Sequence, residues 1–168
     1  MPEIIVIAHN IRSAHNIGAI FRTAEGLGVQ KIIISGYSPY PLLGGPNNTQ
    51  KDTRLPHIAR KLHDQIHKTA LDAEAIVPFE YQEAPDFATL RQNGYAVVGL
   101  EQTPRSVMLP DFAPPEKIAL VLGEEVEGIP VEILKECEIC IEIPMNGTKE
   151  SFNVSVAAGM ALYALSVG

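Results

Sequence analysis

The sequence lacks the features of secreted, membrane-spanning and nicotinamide-dependent proteins. Its 168 residues include two cysteines, Cys137 and Cys140, which are too few for a disulfide framework. No apolar run reaches the ~18 residues that a transmembrane helix needs, and no basic region of the kind that opens a signal peptide follows Met1. The dinucleotide-binding pattern Gly-x-Gly-x-x-Gly is also absent, which argues against a nicotinamide-dependent oxidoreductase. We therefore expect a cytoplasmic protein.

Charge is missing from one segment of the chain. No charged residue occurs from Ser151 to Gly168, where small residues such as Ala157, Ala158 and Gly159 are frequent. The segment is predicted to be helical, and a helix that is apolar all round must be buried on all sides. In a chain of this size, such burial is easiest if a second subunit covers part of the helix.

The charges that are present are unevenly distributed. The net charge is −7, but residues 1–68 carry 8 Lys and Arg against 4 Asp and Glu, whereas residues 69–168 carry 5 against 16. The net charges of the two parts are therefore +4 and −11. Unless folding mixes the two sets, this asymmetry indicates a surface in the first part that faces a polyanion.

Apolar runs and helical patterns alternate along the chain. The strand-like runs lie at Glu3–Ala8, Lys31–Ser35, Ala75–Val77, Ala96–Leu100, Ile118–Leu122 and Ile139–Ile143. The helical patterns lie at Asn16–Leu27, Pro56–Leu71, Asp86–Asn93, Val131–Glu136 and in the last segment. This alternation is typical of a doubly wound, parallel α/β sheet. We expect one domain over residues 1–168, with a long irregular loop at Gly36–Thr53 of the kind that is usually functional or disordered.

The first of three motifs follows the first strand and reads Asn-x-Gly-x-x-x-Arg-Thr-Ala, from Asn16 to Ala24. Asn16 suits a helix N-cap, and Gly18 and Arg22 are four residues apart, so they share one helix face. A glycine inside a helix costs ~1 kcal/mol relative to alanine. This indicates that something approaches closely there, with Arg22 over an open notch. A solvated arginine beside a packing glycine explains the pattern equally well.

The second motif, Leu-Gly-x-Glu-x-x-Gly, runs from Leu122 to Gly128. A buried strand ends at Gly123, and three carboxylates follow it within four positions. Ligands of open α/β sheets bind beyond the carboxyl ends of strands, so this acidic turn lies where a cationic organic cofactor would bind. A solvated acidic turn is the alternative, and the ladder of Asp and Asn residues of a calcium loop is absent.

The third motif, Ile-Pro-Met-x-Gly-x-x-x-Ser-x-Asn-Val-Ser-Val-Ala, runs from Ile143 to Ala157. In this order, the three motifs resemble those of the SpoU (TrmH-like) family of the SPOUT superfamily, which are RNA ribose 2′-O-methyltransferases. The resemblance covers nearly the whole chain. It implies a parallel-sheet α/β knot, Rossmann-like with a deep trefoil knot in the C-terminal part. We expect a single SpoU-type methyltransferase domain over residues 1–168, without an appended RNA-binding domain.

The resemblance also implies a cofactor, a partner and site residues. S-adenosylmethionine would lie bent in the knot, held largely by backbone groups. The positions that match the family's cofactor-binding residues are Leu100, Gly123, Ile143 and Phe152. The positions that match its catalytic residues are Asn16, Arg22, Glu125, Ser151 and Asn153. Family members are usually homodimers packed through the knot and the last helix, which agrees with the argument from the uncharged helix.

The chemistry constrains the role of Arg22. Methyl transfer from a sulfonium needs alignment of donor and acceptor, which alone supplies ~7–11 kcal/mol, and loss of the hydroxyl proton. A guanidinium with a pKa above ~12 is a poor general base. We expect Arg22 to stabilise the developing alkoxide and to hold a neighbouring phosphate. Ser151 and Asn153 would orient the ribose or complete the pocket, and Glu125 would hold its loop and Asn16.

RNA contact is expected from the segment 51–68. It concentrates cationic residues, of which Lys51, Arg54, Arg60 and Lys61 are the predicted phosphate contacts. A solvated amphipathic helix is the alternative. Because the net charge is negative, the sequence leaves open whether a helper protein supplies RNA affinity as a second partner.

Two further patterns carry little weight. His63 and His67 have a metal-ligand spacing, but no third ligand is evident in the sequence, so we predict no metal site. Cys137 and Cys140 have CxxC spacing without a second pair and are expected to be reduced thiols. The leading interpretation is S-adenosylmethionine-dependent methylation of a ribose 2′-hydroxyl in structured RNA, tRNA or rRNA. The alternative is a catalytically silent knot protein that binds RNA or a nucleotide.

Overall fold

Seven parallel strands form one sheet in the computed structural model, which describes residues 1–168. The strands are β1 (Glu3–His9), β2 (Lys31–Ser35), β3 (Phe79–Gln82), β4 (Ala96–Leu100), β5 (Val107–Met108), β6 (Lys117–Leu122) and β7 (Ile139–Glu142). The α-helices are α1 (Ala14–Gly26), α2 (Pro56–Ala70), α3 (Phe87–Gln92), α4 (Val131–Leu134) and α5 (Val154–Val167). The strand order is β3-β2-β1-β6-β4-β7-β5, and all pairings are parallel. The predicted parallel α/β sheet is confirmed.

Alternate residues of the central strands enter two hydrophobic cores, one on each face of the sheet. In β1, Ile4 and Val6 pack with residues of α1, α2 and α5, whereas Ile5 and Ile7 pack with residues of α3 and α4. Strands that are buried on both faces read as continuous apolar runs. This is why the bounds of β2 and β4 are as predicted. The bounds of β1, β6 and β7 differ from the predicted ones by one residue at one end. The edge strand β5 has two residues, too few for a periodic pattern, and is absent from the predicted elements.

The predicted strand at Ala75–Val77 is wrong. Leu71 and Asp72 adopt left-handed backbone conformations, with φ of 49° and 75°, and the chain turns back through a 3-10 turn at Ala73–Ala75. The amides of residues 75–77 donate to carbonyl oxygens within this turn and are therefore unavailable to a sheet. The strand begins later, after Pro78.

Helix α1 begins two residues before its predicted start, and its N-cap is Ser13 rather than Asn16. The Ser13 hydroxyl oxygen accepts a hydrogen bond from the Asn16 amide at 3.1 Å. A side-chain oxygen at this position satisfies one of the unpaired amides of the first helical turn. Because Ser13 caps the helix, the Asn16 side chain can bond elsewhere.

Gly18 lies where α1 crosses α2. A Cβ at this position would lie 2.1 Å from Thr69 Oγ1 and 2.2 Å from the Ile66 carbonyl oxygen. Thr69 Oγ1 also donates to the carbonyl oxygen of His15 at 2.7 Å, which ties the two helices together. The predicted close approach at Gly18 is thus a helix–helix contact, and the open notch predicted there is not present.

Helix α5 is buried on one side within the single chain. Its buried residues are Ala158, Ala161, Leu162 and Leu165. Its exposed large apolar residues are Val156, Met160, Tyr163 and Val167, with exposed fractions of 47%, 38%, 60% and 61%. The expected burial on all sides is therefore not achieved by this chain alone. No helix of the structure combines the length and the apolar character that crossing a bilayer requires.

Candidate functional site

A cavity of about 260 Å³ opens beyond the carboxyl ends of β4, β6 and β7. This edge is where open α/β sheets bind their ligands. The four residues predicted to bind the cofactor, Leu100, Gly123, Ile143 and Phe152, all line it. Two loops form its walls: residues 123–129, which we call the acidic loop, and residues 144–153, which we call the polar loop. The structure therefore brings together residues that lie far apart in the sequence.

The acidic loop folds back on itself at a tight turn. The amide of Glu124 donates to the Gly128 carbonyl oxygen at 3.1 Å, and the Gly128 amide donates to the Glu124 carbonyl oxygen at 2.9 Å. Gly128 has a φ of 74°, a conformation that side chains other than glycine rarely adopt. A Cβ at Gly123 would lie 2.4 Å from the Ile129 nitrogen, so this position also requires glycine. Both glycines of the second motif are explained by this turn.

Glu101 supports the acidic loop and was not among the predicted site residues. It follows β4 directly, lines the cavity, and its Oε2 accepts a hydrogen bond from the Ile129 amide at 2.8 Å. A Cβ at Gly128 would lie 2.0 Å from the same oxygen, so the carboxylate sits against the bare backbone of the turn. The signal in the sequence was an acidic residue at the carboxyl end of a buried strand, next to the predicted Leu100.

Glu125 connects the acidic loop to the start of α1. Its carboxylate accepts hydrogen bonds from the amides of Arg12 and Ser13, at 3.3 and 3.4 Å, and from the Asn16 side chain at 3.2 Å. Burial raises the pKa of Glu125, but its backbone amide and these donors outweigh burial, and the net pKa is lowered. The prediction that Glu125 holds Asn16 is confirmed as a contact.

Asn153 connects the polar loop to the same group. Its Oδ1 accepts from the amides of Ser155 and Val156, at 2.9 and 3.4 Å, and so caps α5. Its Nδ2 donates to Asn16 Oδ1 at 3.4 Å. Asn16, Glu125 and Asn153 thus form one hydrogen-bonded chain, while Ser151 is exposed and lines the cavity. Four of the five predicted catalytic residues lie at or next to the cavity.

Arg22, the fifth predicted catalytic residue, is exposed on α1. The Lys and Arg side chains that form ion pairs are Arg12, Lys31, Arg54 and Arg91. The guanidinium of Arg22 is therefore not committed to an acidic side chain of this chain.

The predicted RNA-binding residues differ in their surroundings. Lys51, Arg60 and Lys61 are exposed. Arg54 forms a 2.7 Å ion pair with Asp52, donates to the carbonyl oxygens of residues 40 and 41 at 2.8 Å, and has its guanidinium carbon 3.7 Å from the ring centre of Tyr40. These contacts hold the long loop together and occupy the donors that a phosphate would need. Arg54 is thus a structural residue of the loop in this structure.

The two cysteines are free. Burial, the largest cause, raises the pKa of Cys137 to about 12, so its thiol is protonated and unreactive at neutral pH. This agrees with the prediction of two reduced thiols.

Sequence comparison assigns most of the chain to a family. Residues 51–163 match the family described as SpoU rRNA Methylase family. The chain is 29% identical over 170 residues to a tRNA (guanosine(18)-2'-O)-methyltransferase of Saccharomyces cerevisiae, and 98% of this chain and 10% of the yeast protein are covered. It is 31% identical over 167 residues to the 23S rRNA (guanosine-2'-O-)-methyltransferase RlmB of Neisseria meningitidis, with 96% and 57% covered. The chain thus spans a tenth of the yeast relative and just over half of the bacterial one.

Solved structures have the same fold. The TrmH/SpoU tRNA modifying enzyme of A. aeolicus superimposes with a TM-score of 0.71 and 26% identity, over 99% of this chain and 75% of that one. An AdoMet-bound rRNA methyltransferase from Sinorhizobium meliloti superimposes with a TM-score of 0.77 and 23% identity, over 97% and 55%. The motifs, the parallel sheet and the family match agree, and we conclude that the chain belongs to the SpoU rRNA methylase family.

Proposed function

We propose that this chain transfers a methyl group from S-adenosylmethionine to a ribose 2′-hydroxyl of structured RNA, a tRNA or an rRNA. The observation that carries the proposal is the position of the cavity. The four residues that match the family's cofactor-binding positions line it, and the Asn16–Glu125–Asn153 chain of hydrogen bonds lies beside it. The names of the yeast and Neisseria relatives support RNA as the substrate. The AdoMet-bound relative supports the cofactor.

The residues of the cavity fit this cofactor. S-adenosylmethionine supplies a methyl group activated by a positively charged sulfur. Glu101, Glu124, Glu127, Glu142 and Glu150 all line the cavity, so its potential is negative and favours a cation. Gly123 and Gly128 let the acidic loop fold tightly against Ile129 and Glu101, so the loop carries no side chain at either position. Leu100, Ile143 and Phe152 would supply the apolar contacts.

The other residues would bind and orient the RNA. We assign Arg22 to the phosphate and the developing alkoxide of the substrate, because its guanidinium is exposed, permanently charged and without an acidic partner in this chain. Ser151 would orient the ribose from the cavity wall. Asn16, Glu125 and Asn153 would hold the two loops against α1. The 2′-hydroxyl proton would leave to solvent or to a substrate phosphate, since the guanidinium of Arg22 is already protonated and cannot accept it.

We assign RNA binding to Lys51, Arg60 and Lys61 of the predicted surface. All three are exposed. Lys51 precedes α2 in the chain, and Arg60 and Lys61 lie on α2, which packs on α1, the helix that carries Arg22. Each phosphate contact that is removed should lower the slope of affinity against salt concentration by about one. A triple exchange of these residues to Gln should weaken tRNA or rRNA binding and flatten that slope. If the slope of affinity against salt concentration is unchanged, these residues belong to a solvated helix face that does not contact RNA. The helper protein stays a proposed source of further affinity.

From the family resemblance, we propose a trefoil knot in the C-terminal part of the single domain. We also propose a homodimer in which α5 packs against its copy. The exposed residues Val156, Met160, Tyr163 and Val167 follow one another at intervals of four, three and four, so they lie along one face of α5. Such a stripe is self-complementary across a two-fold axis. Replacement of Met160 and Tyr163 by Lys should convert a dimer to a monomer in analytical ultracentrifugation. A wild-type monomer at micromolar concentration contradicts this assignment.

Calorimetry with S-adenosylmethionine tests the cofactor, and methylation mapping of tRNA and rRNA from a deletion strain tests the substrate. Arg22→Lys keeps the charge but loses the planar, bidentate donor, so transfer should fall at least about tenfold while cofactor affinity stays unchanged. Full activity of Arg22→Lys contradicts the assigned role. Cofactor binding that is absent while RNA binding persists favours the alternative of a catalytically silent RNA- or nucleotide-binding knot protein.

A further inference from the structure

A second cavity, distinct from the one at the carboxyl ends of the strands, lies between the long loop and α2. It has a volume of about 520 Å³. His67, Asp72 and Glu74, which we call the His–Asp–Glu cluster, lie on its wall, and their nearest ligand atoms are all within 4.8 Å of one another. His67 belongs to the last turn of α2, and the two acids follow it around the left-handed turn at Leu71 and Asp72. The helical spacing of His63 and His67 alone does not reveal this third ligand, because the turn reverses the chain.

The Glu74 carboxylate lacks a partner for one of its oxygens. Its side chain is 4% exposed, its Oε1 lies 2.5 Å from His67 Nδ1, and its buried Oε2 has no hydrogen-bond partner. A buried carboxylate oxygen is normally paired, because burial removes the water that would otherwise solvate it. A cation that both oxygens of the Glu74 carboxylate contact would satisfy Oε2 as well as Oε1.

The surrounding charges favour a cation. The titratable groups that line the cavity are Asp64, Asp72 and Glu74 with Arg60, His63 and His67, so three carboxylates face one guanidinium and two imidazoles. His63 faces a different partner, because its Nδ1 accepts a hydrogen bond from the Leu42 amide at 3.1 Å.

We propose that His67, Asp72 and Glu74 bind one divalent transition-metal ion, with Zn²⁺ the best fit. One imidazole nitrogen and two carboxylates suit Zn²⁺, whereas Mg²⁺ and Ca²⁺ prefer oxygen ligands alone. Bonds of about 2.1 Å in a tetrahedron place ligand atoms about 3.4 Å apart. His67 Nδ1 lies 2.5 Å from Glu74 Oε1 and 3.7 Å from Asp72 Oδ1, so shifts of about an ångström complete the geometry.

The metal would take the place of the proton between His67 and Glu74. His67 would bind as neutral imidazole through Nδ1, with its ring proton on Nε2. Asp72 is 80% exposed and His67 46%, which leaves the fourth position to water. The ion would link the end of α2 to the 3-10 turn and so stabilise the helix that packs on α1.

The test is calorimetric titration of metal-free protein, without a polyhistidine tag, with Zn²⁺ at neutral pH. We expect one equivalent to bind with a micromolar or smaller Kd and a higher Tm. His67→Gln and Glu74→Gln should each weaken binding at least about tenfold, the loss expected even for an outer partner of a metal ligand. Asp72→Asn should weaken it by a smaller factor, since Asp72 is exposed. Mg²⁺ should not compete.

Two controls separate this site from others. His57→Gln changes an exposed histidine of the same helix that is outside the cluster, and a Cys137→Ser, Cys140→Ser double variant removes the thiols. Both should bind Zn²⁺ as the wild type does. Absence of binding to the wild type, or loss of binding in either control, overturns the proposal. If circular dichroism shows that Glu74→Gln does not fold, the Asp72→Asn variant provides the test instead, because Asp72 is exposed. Zn²⁺ binding to Asp72→Asn that is as tight as to the wild type then overturns the proposal.

Discussion

The two loops that border the cofactor cavity differ in how firmly the rest of the chain holds them. The acidic loop is tied to β4 by Glu101, to the start of α1 by Glu125, and to Arg12 through a 3.7 Å ion pair with Glu124. The polar loop has two hydrogen bonds to other segments, from Gln102 to the Glu150 carbonyl oxygen at 2.8 Å and from Asn153 to Asn16.

The difference indicates that contacts within the chain fix one wall of the cavity, whereas few such contacts hold the other. Donors and charges that are already in place cost no reorganisation when a ligand arrives. A segment with few contacts is drawn from the less stable part of a structure and can adjust to its ligand. We expect substitutions in the acidic loop to change cofactor affinity and stability together. Substitutions in the polar loop other than at Phe152, which lines the cavity, and Asn153, which caps α5, should change little before RNA is bound.

The largest contrast is expected from one substitution made in both loops. Gly128→Ala places a Cβ on a backbone with a φ of 74° and 2.0 Å from Glu101, so the turn must rearrange. We expect S-adenosylmethionine to bind about 100-fold more weakly and the free energy of unfolding to fall by about 2 kcal/mol. Gly147→Ala is the matched control, because nothing lies within 4 Å of a Cβ there. Equal effects in calorimetry would remove the contrast between the loops.

A smaller effect is expected at the support of the acidic loop. Glu101→Gln keeps the shape of the side chain but replaces a charge-assisted hydrogen bond to the Ile129 amide by a neutral one. The loss should be about 1 kcal/mol in urea unfolding and about fivefold in cofactor affinity. If affinity stays the same while stability falls, Glu101 supports the fold but not the cavity.

Glu125 should give a pH-dependent effect. Its folded-state pKa is lowered, so its contribution to stability is fully present above the ordinary glutamate pKa of ~4.3 and is lost as pH falls through the lower folded value. Its hydrogen bonds are 3.2–3.4 Å long, so we expect a weaker effect than at Glu101. Wild type and Glu125→Gln should differ in unfolding free energy at pH 7 and converge in acid. A difference that persists at pH 2–3 would assign the effect to packing.

The smallest effect is expected at the tether of the polar loop. Gln102→Ala removes an exposed hydrogen bond to the Glu150 carbonyl oxygen. The free energy of unfolding should change by less than about 0.5 kcal/mol, as for most surface substitutions. A loss as large as that of Glu101→Gln would mean that the polar loop is also preformed.

Local patterns predicted most of the elements. β2 and β4 are apolar runs buried on both faces, and their bounds in the sequence and in the structure agree. The prediction failed at Ala75–Val77, where residues of suitable type enter a 3-10 turn because Leu71 and Asp72 reverse the chain. Local pattern does not encode that reversal, since residues other than glycine seldom adopt positive φ.

The site residues were only partly predicted, because local pattern does not show which distant residues meet. The motifs identified residues that line the cavity, such as Gly123 and Ser151, because the carboxyl ends of parallel strands meet at one edge. Glu101 belongs to no motif, and Arg54 was predicted to contact RNA although it is bound within its own loop. Both facts depend on partners that are near in space and unrelated in local pattern.

Local sequence was enough for the parallel α/β class and for the edge of the sheet where the cavity lies, because apolar periodicity marks the strands and the motifs follow their carboxyl ends. The family came from the resemblance of the three motifs to a known set. The tertiary structure decided which α-helix fills the space at Gly18, which acid supports the turn at Gly128 and which carboxylates meet His67. A side chain's partner is set by how distant segments pack, and packing follows from the shape of the whole chain rather than from any one stretch of it.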